Sequence, residues 1–231
     1  MNRLMLAALL VLVAMPTLAL SVTRAKKTRS PFEAVSIIIE FNSTDQDAGV
    51  QLFLDAEAWK SVSVLDPKGR KIFDVNPKGV LKTLGGSELF LESDEPGLAD
   101  VPLEHLFAQF PEGTYTFVGK SPDGEDLKST ATLSHTIPDG PSLATPGTLD
   151  PAHAVIAWHP VTTPAGVDIV GYEAIIEQDA VHFFDVKVPG TATSVTVPPE
   201  MLQPHTQYTF EVLAIDKTGN QTITSASFVT P

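Results

Sequence analysis

The side chains best suited to proton transfer or metal ligation at neutral pH are six histidines: His105, His135, His153, His159, His182 and His205. They are scattered, with no H-E-x-x-H and no pair at the spacing that sets two ligands on one helix face. His153 and His159 fall at opposite ends of one expected strand, too far apart to share an ion. Cysteine is absent, which excludes thiol catalysis, disulfides and Cys-ligated zinc. Gly85-Gly86-Ser87-Glu88-Leu89 lacks the closing glycine and the strand–helix setting of a nucleophile elbow, and is expected to be a loop. Phosphate-cradling glycine motifs and a dinucleotide fingerprint are also missing. The 28 carboxylates contain the makings of a glycosidase pair, yet no spacing singles out two of them. No enzyme is expected; a small hydrolase is the third-ranked option.

One acidic segment has the composition of a cation site: Asn42-Ser43-Thr44-Asp45-Gln46-Asp47-Ala48-Gly49, with Asp55 and Glu57 close by. A hard cation needs several oxygens converging on one point, and Asp45 and Asp47 are the candidate ligands. The EF-hand register fails. Gly49 at the sixth position puts Thr44, Gln46 and Ala48 at the first, third and fifth, and Asp45 and Asp47 at the third and fifth leave Leu54 at the twelfth. A polar loop between two strands is the expectation, with no cofactor and with calcium as the alternative. Three aromatics are candidates for a binding surface. Trp59 follows an acidic stretch, while Phe183 and Phe184 are adjacent in a strand, so alternation lets only one of them fill a core.

These residues are to be positioned by strands. Nineteen prolines and fifteen glycines divide the chain into short alternating runs, as an all-β protein requires. The first domain, residues 32–136, opens with Val35–Phe41, followed by strands at Val50–Asp55 and Ser61–Leu65. Asp66-Pro67-Lys68-Gly69 and Ser121-Pro122-Asp123-Gly124 have proline where a turn pre-sets φ and glycine where it opens into the next strand. They predict hairpins of Ser61–Leu65 with Arg70–Val75 and of Tyr115–Gly119 with Leu127–Leu133. Two stretches depart from alternation, near Asp55–Trp59 and Pro102–Gln109. In the second, Leu103, Leu106 and Phe107 share a helix face that Asp100 is placed to cap. An immunoglobulin-like or related sandwich accommodates all of this.

Residues 137–147 carry Pro138, Pro141 and Pro146, a stiff linker that doubles as an edge strand of a second domain at residues 141–231. In that domain Ala154, Ile156 and Trp158 alternate inward, as do Tyr172, Ala174 and Ile176. Leu202-Gln203-Pro204-His205-Thr206-Gln207-Tyr208 leads into Phe210, Val212 and Ala214, and Asp216–Asn220 is the last hairpin loop. Over its whole length the segment resembles a fibronectin type III domain. Trp158 stands where that family has a buried tryptophan, and Leu202, Pro204 and Tyr208 match its L-x-P-x-x-x-Y tyrosine corner. The resemblance implies a sandwich used for spacing or binding. The Arg-Gly-Asp tripeptide of some members' last hairpin loop is absent, so integrin-type adhesion gets no support. With two cores and a stiff linker, the two domains are expected to unfold as distinct units.

The first 25 residues have the form of a signal peptide: Met1-Asn2-Arg3, an apolar run from Leu4 to Leu20, and small residues near Ala19. Four positive charges follow, at Arg24, Lys26, Lys27 and Arg29, which makes an uncleaved N-terminal anchor the second choice. Residues 31–231 carry 10 basic groups against 28 acidic ones, a net of −18, so nucleic acid and anionic membrane surfaces are disfavoured partners. The function expected is a non-catalytic secreted, periplasmic or cell-envelope protein acting as a binding or spacer module for protein contacts. The alternative is a polysaccharide-binding accessory module, with calcium assistance.

Overall fold

The computed structural model describes residues 29–179 and 181–231, and the signal-peptide reading of residues 1–25 lies outside them. The fold is all-β: two sandwiches in tandem. The first is built from β1 (Arg29–Ser30), β2 (Ala34–Asn42), β3 (Asp47–Trp59), β4 (Ser61–Leu65), β5 (Lys71–Val75), a short α1 (Leu81–Leu84), β6 (Gly86–Glu92), α2 (Leu103–Gln109), β7 (Gly113–Lys120) and β8 (Asp126–Leu133). One of its sheets runs β1-β8-β7-β4-β5, and β2, β3 and β6 form the other. The two hairpins expected from the Pro–Gly turns are β4–β5 and β7–β8. Between the sheets lie Ile37, Ile39, Val50, Leu52, Leu54, Val62, Val64, Tyr115 and Phe117, each buried on the inward phase of its strand.

The second sandwich comprises β9 (Ser142–Leu143), β10 (Val155–His159), β11 (Ile169–Gln178), β12 (Val181–Pro189), β13 (Ser194–Thr196), β14 (Gln207–Asp216) and β15 (Gln221–Val229). A β13-β10-β9 sheet faces β12-β11-β14-β15 across a separate core of Ile156, Trp158, Tyr172, Ile176, Tyr208, Phe210 and Phe228. Trp158 packs on Tyr172 with ring centroids 5.2 Å apart.

The junction is more than a linker. β15 pairs in parallel with β2, Gln221 opposite Glu40 and Ile223 opposite Asn42, so β12-β11-β14-β15-β2-β3-β6 is one seven-stranded sheet shared by both sandwiches. Inward and outward phases carry across the seam: Thr222 lies opposite Phe41 on the core side, and Gln221 opposite Glu40 on the outer side.

Three local expectations differ from the structure. Gly85–Leu89 is not a loop: Gly86–Glu92 forms β6, because Leu89 and Leu91 pack on the first core and the strand pairs along β3. Asp55–Trp59 continues β3 through an irregularity in its pairing with β6. Asp100 does not cap α2, which begins after Pro102 without a side-chain cap; the Asp100 N–H bonds Gly97 O instead.

Candidate functional site

The seam is fixed by one buried amide. Asn220 closes the turn between β14 and β15 and is 1% exposed. Its Oδ1 accepts from the Ile39 N–H of β2 at 2.8 Å, while its Nδ2 donates to Ser134 O at 2.8 Å and Thr136 O at 2.7 Å. Three of an amide's four hydrogen-bonding positions are thus met by the first sandwich and the segment leaving it. Thr222 Oγ1 donates to Pro138 O, and Ser43 N–H and Oγ both reach Ile223 O. Gly140 is required by this close approach, since a Cβ there would lie 2.3 Å from Ser43 Oγ and 2.6 Å from Thr224 Oγ1. The tip of the last hairpin loop is seated too: a Cβ on Gly219, whose φ is +91°, would lie 2.8 Å from Ile38 Cγ2.

Beside the seam, the outer face gathers carboxylates. Gly49 on β3 lies opposite Glu40, and the space its missing side chain leaves is filled by Glu95. Glu40, Glu92 and Glu95 each bring one oxygen within 4.8 Å of the others. Burial, then the charges of Glu40, Glu92, Asp47 and Asp94, push Glu95 up to about 7. Burial also raises Glu40, which accepts from the Gln221 amide across the seam, and Glu211 on β14, where Glu177 adds repulsion. Three converging oxygens are fewer than the about six to eight that calcium takes.

The residues singled out in the sequence are distributed otherwise. Among the described residues, the carboxylates that converge are Glu40, Glu92 and Glu95, and neither Asp45 nor Asp47 is among them. Asn42 Oδ1 accepts from the N–H groups of Thr44 and Asp45, and this tight turn leaves the Asp45 side chain exposed, hydrogen-bonded to Asn42 Nδ2. Asp47 begins β3, and among the described residues its buried Oδ1 has no hydrogen-bond partner. Trp59 offers no stacking platform: it is 4% exposed, lies over Gly86, and its Nε1 donates to Ser87 O at 3.0 Å. Phe183 and Phe184 do not point to opposite faces. Ile176 pairs with Phe184 and Glu177 with His182, so Phe183 is the extra residue of a β-bulge and both rings pack on the second core. Phe183 lies 5.4 Å from the ring of Tyr208.

The tyrosine corner is present. Leu202 and Tyr208 are buried, Pro204 is exposed on the turn between them, and the Tyr208 hydroxyl accepts from the Gln203 N–H at 2.7 Å. A second corner escaped the sequence reading: Tyr115, fully buried, donates to Pro111 O at 3.1 Å. The signal was a proline four residues before the tyrosine, as in Pro204 and Tyr208, without the leading leucine.

Residues 147–230 match the family model of the fibronectin type III domain. No curated protein matches the sequence. Similar solved structures include the FN1-FN3 domains of chicken CNTN1, at 14% identity and a TM-score of 0.34 over 87% of this chain and 64% of that one. A two-domain fibronectin type III segment from chicken tenascin has 13% identity and a TM-score of 0.33 over 85% and 98%. A tetra-tandem repeat from the extending region of a large adhesion protein has 16% identity and a TM-score of 0.31 over 86% and 50%.

Proposed function

We propose, from a C-terminal domain that is fibronectin type III-like, that the protein is a non-catalytic module of the extracellular space or cell envelope that makes protein contacts at a fixed geometry. Fibronectin type III domains are typically binding or adhesion modules rather than enzymes. The observation that carries the proposal is the shared sheet. β15 and β2 join two cores into one body, and Asn220 anchors the loop that links β14 and β15. A module built to flex would leave that loop free; here it is committed to the joint, which suits a rigid spacer with binding surfaces on its outer faces.

Crosslinking of the full chain in the cells that produce it, read by mass spectrometry, tests this. Crosslinks from exposed Lys78, Lys82 and Lys187 to other proteins are expected, while a polysaccharide array retains nothing. Retention on the array with no protein crosslinks would replace the proposal with the polysaccharide alternative.

A further inference from the structure

Among the described residues the shared sheet ends at β12 on one side and β6 on the other, and the two edges are guarded differently. β12 carries the Phe183 bulge, Lys187 and a terminal Pro189, devices that discourage a further strand from adding. β6, Gly-Ser-Glu-Leu-Phe-Leu-Glu, has no proline, lysine or arginine. Its hydrogen-bonding phase follows from its end. Ser93 N–H donates to Val50 O at 3.0 Å, so by antiparallel alternation Leu91 and Leu89 bond to β3, whereas Glu88, Phe90 and Glu92 form the non-bonded pairs. The N–H and C=O groups of Glu88, Phe90 and Glu92 therefore point to the open edge. Their side chains share the outer face, with Phe90 60% exposed. The residues leading into the strand, Val80, Leu81 and Leu84, are exposed as well.

Charge decides what fits this edge. A second copy added antiparallel about Phe90 would set Glu88 of each chain against Glu92 of the other, and like charges directly opposite are destabilising. At the far end, Glu92 joins Glu40 and Glu95, and every charge that raises Glu95 is another carboxylate. We propose that β6 is a docking edge for an extended segment of another protein whose outward residues run basic, apolar, basic, standing beside Glu88, Phe90 and Glu92. This rests on the protein-contact function above and adds its place and chemistry. The partner's backbone supplies the hydrogen bonds, its central apolar residue covers Phe90, and its cations neutralise the two glutamates.

The probe is the synthetic peptide Thr-Lys-Thr-Val-Thr-Lys-Thr, whose Lys, Val and Lys share one face of an extended strand, added to the full chain, with amide exchange read by NMR. Slowed exchange is expected at Glu88, Phe90 and Glu92 and not at Leu89 or Leu91, which are already bonded. The peptide Thr-Glu-Thr-Val-Thr-Glu-Thr, acidic at the same two positions, is expected not to bind. Phe90→Pro removes an edge donor without taking a bond from the β3 ladder, and is expected to weaken binding of the lysine peptide by at least about tenfold. Glu88→Lys with Glu92→Lys is the second variant and is expected to reverse the preference between the two peptides. Protection at another strand, or an unreversed preference, would overturn the proposal. So would a concentration-dependent dimer, seen by sedimentation, that Phe90→Pro abolishes, since the occupant would then be a second copy. If cellular crosslinks persist undiminished in Phe90→Pro, the edge is refuted and the protein-contact function stands; if neither chain crosslinks to any protein, both fall.

Discussion

Tyr208 and Tyr115 each stand four residues after a proline, each buried, each tying its hydroxyl to backbone at the corner it follows. The bonds differ in direction. Tyr208 accepts from an N–H, so Tyr208→Phe strands a donor, whereas Tyr115→Phe strands the Pro111 carbonyl. Each substitution keeps the ring and is expected to cost roughly 1–3 kcal/mol in urea unfolding; a change below a few tenths would remove the corner from the account. Tyr208 was legible because the full L-x-P-x-x-x-Y motif precedes it, and Tyr115 was not because Gln109 stands where the leucine belongs. Trp59 and the Glu40–Glu92–Glu95 group were illegible for another reason: both depend on β6 lying beside β3, a pairing that no local pattern announces. Glu95 supports a second prediction. Its folded value of about 7 lies above the ordinary 4.5, so its contribution to stability is fully present below about 4.5 and is lost as pH rises through 7. Burial is the first cause, followed by the charges of Glu40, Glu92, Asp47 and Asp94. Glu95→Gln should therefore be more stable than the native chain at pH 8, by about 1 kcal/mol or more, and should lose that advantage at pH 4.5.

At the scale of elements, β10 was readable because its burial alternates cleanly, while β11 and β14, buried in unbroken runs at Tyr172–Ile176 and Val212–Ala214, were readable because their core-facing rows are apolar at every second position. Phe183 and Phe184 broke the rule because a bulge supplies one extra residue on the core side. β6 was hidden by its leading Gly85-Gly86, a turn signal that here marks only the entry to the strand. The seam was equally hidden, since parallel pairing between residues about 180 apart in the chain rests on tertiary context rather than on either sequence. Asn220 makes it testable. Asn220→Ala removes three bonds and leaves Ile39 N–H, Ser134 O and Thr136 O without this partner. A loss of about 2–3 kcal/mol is expected, read as a lower urea midpoint for the joined protein. Asn220→Asp should be as damaging, because it keeps the acceptor for Ile39 and turns repelling oxygen toward two carbonyls.

The whole molecule differs from two beads on a proline-rich string. Two separate cores were foreseen, and with them independent unfolding; the shared sheet couples the two. A fragment of residues 141–231 retains its core but loses the partners of Asn220, Thr222 and Ser225. It is expected to fold with a lower urea midpoint than the same sandwich shows in the full chain. The most direct test of the fixed geometry uses spin labels on Lys78→Cys and Glu200→Cys, exposed positions on the two sandwiches of a chain with no other cysteine. One narrow distance distribution between the labels is expected, broadening when Asn220→Ala is added. A broad distribution in the otherwise native protein would show that the sandwiches swing freely, and would contradict the account.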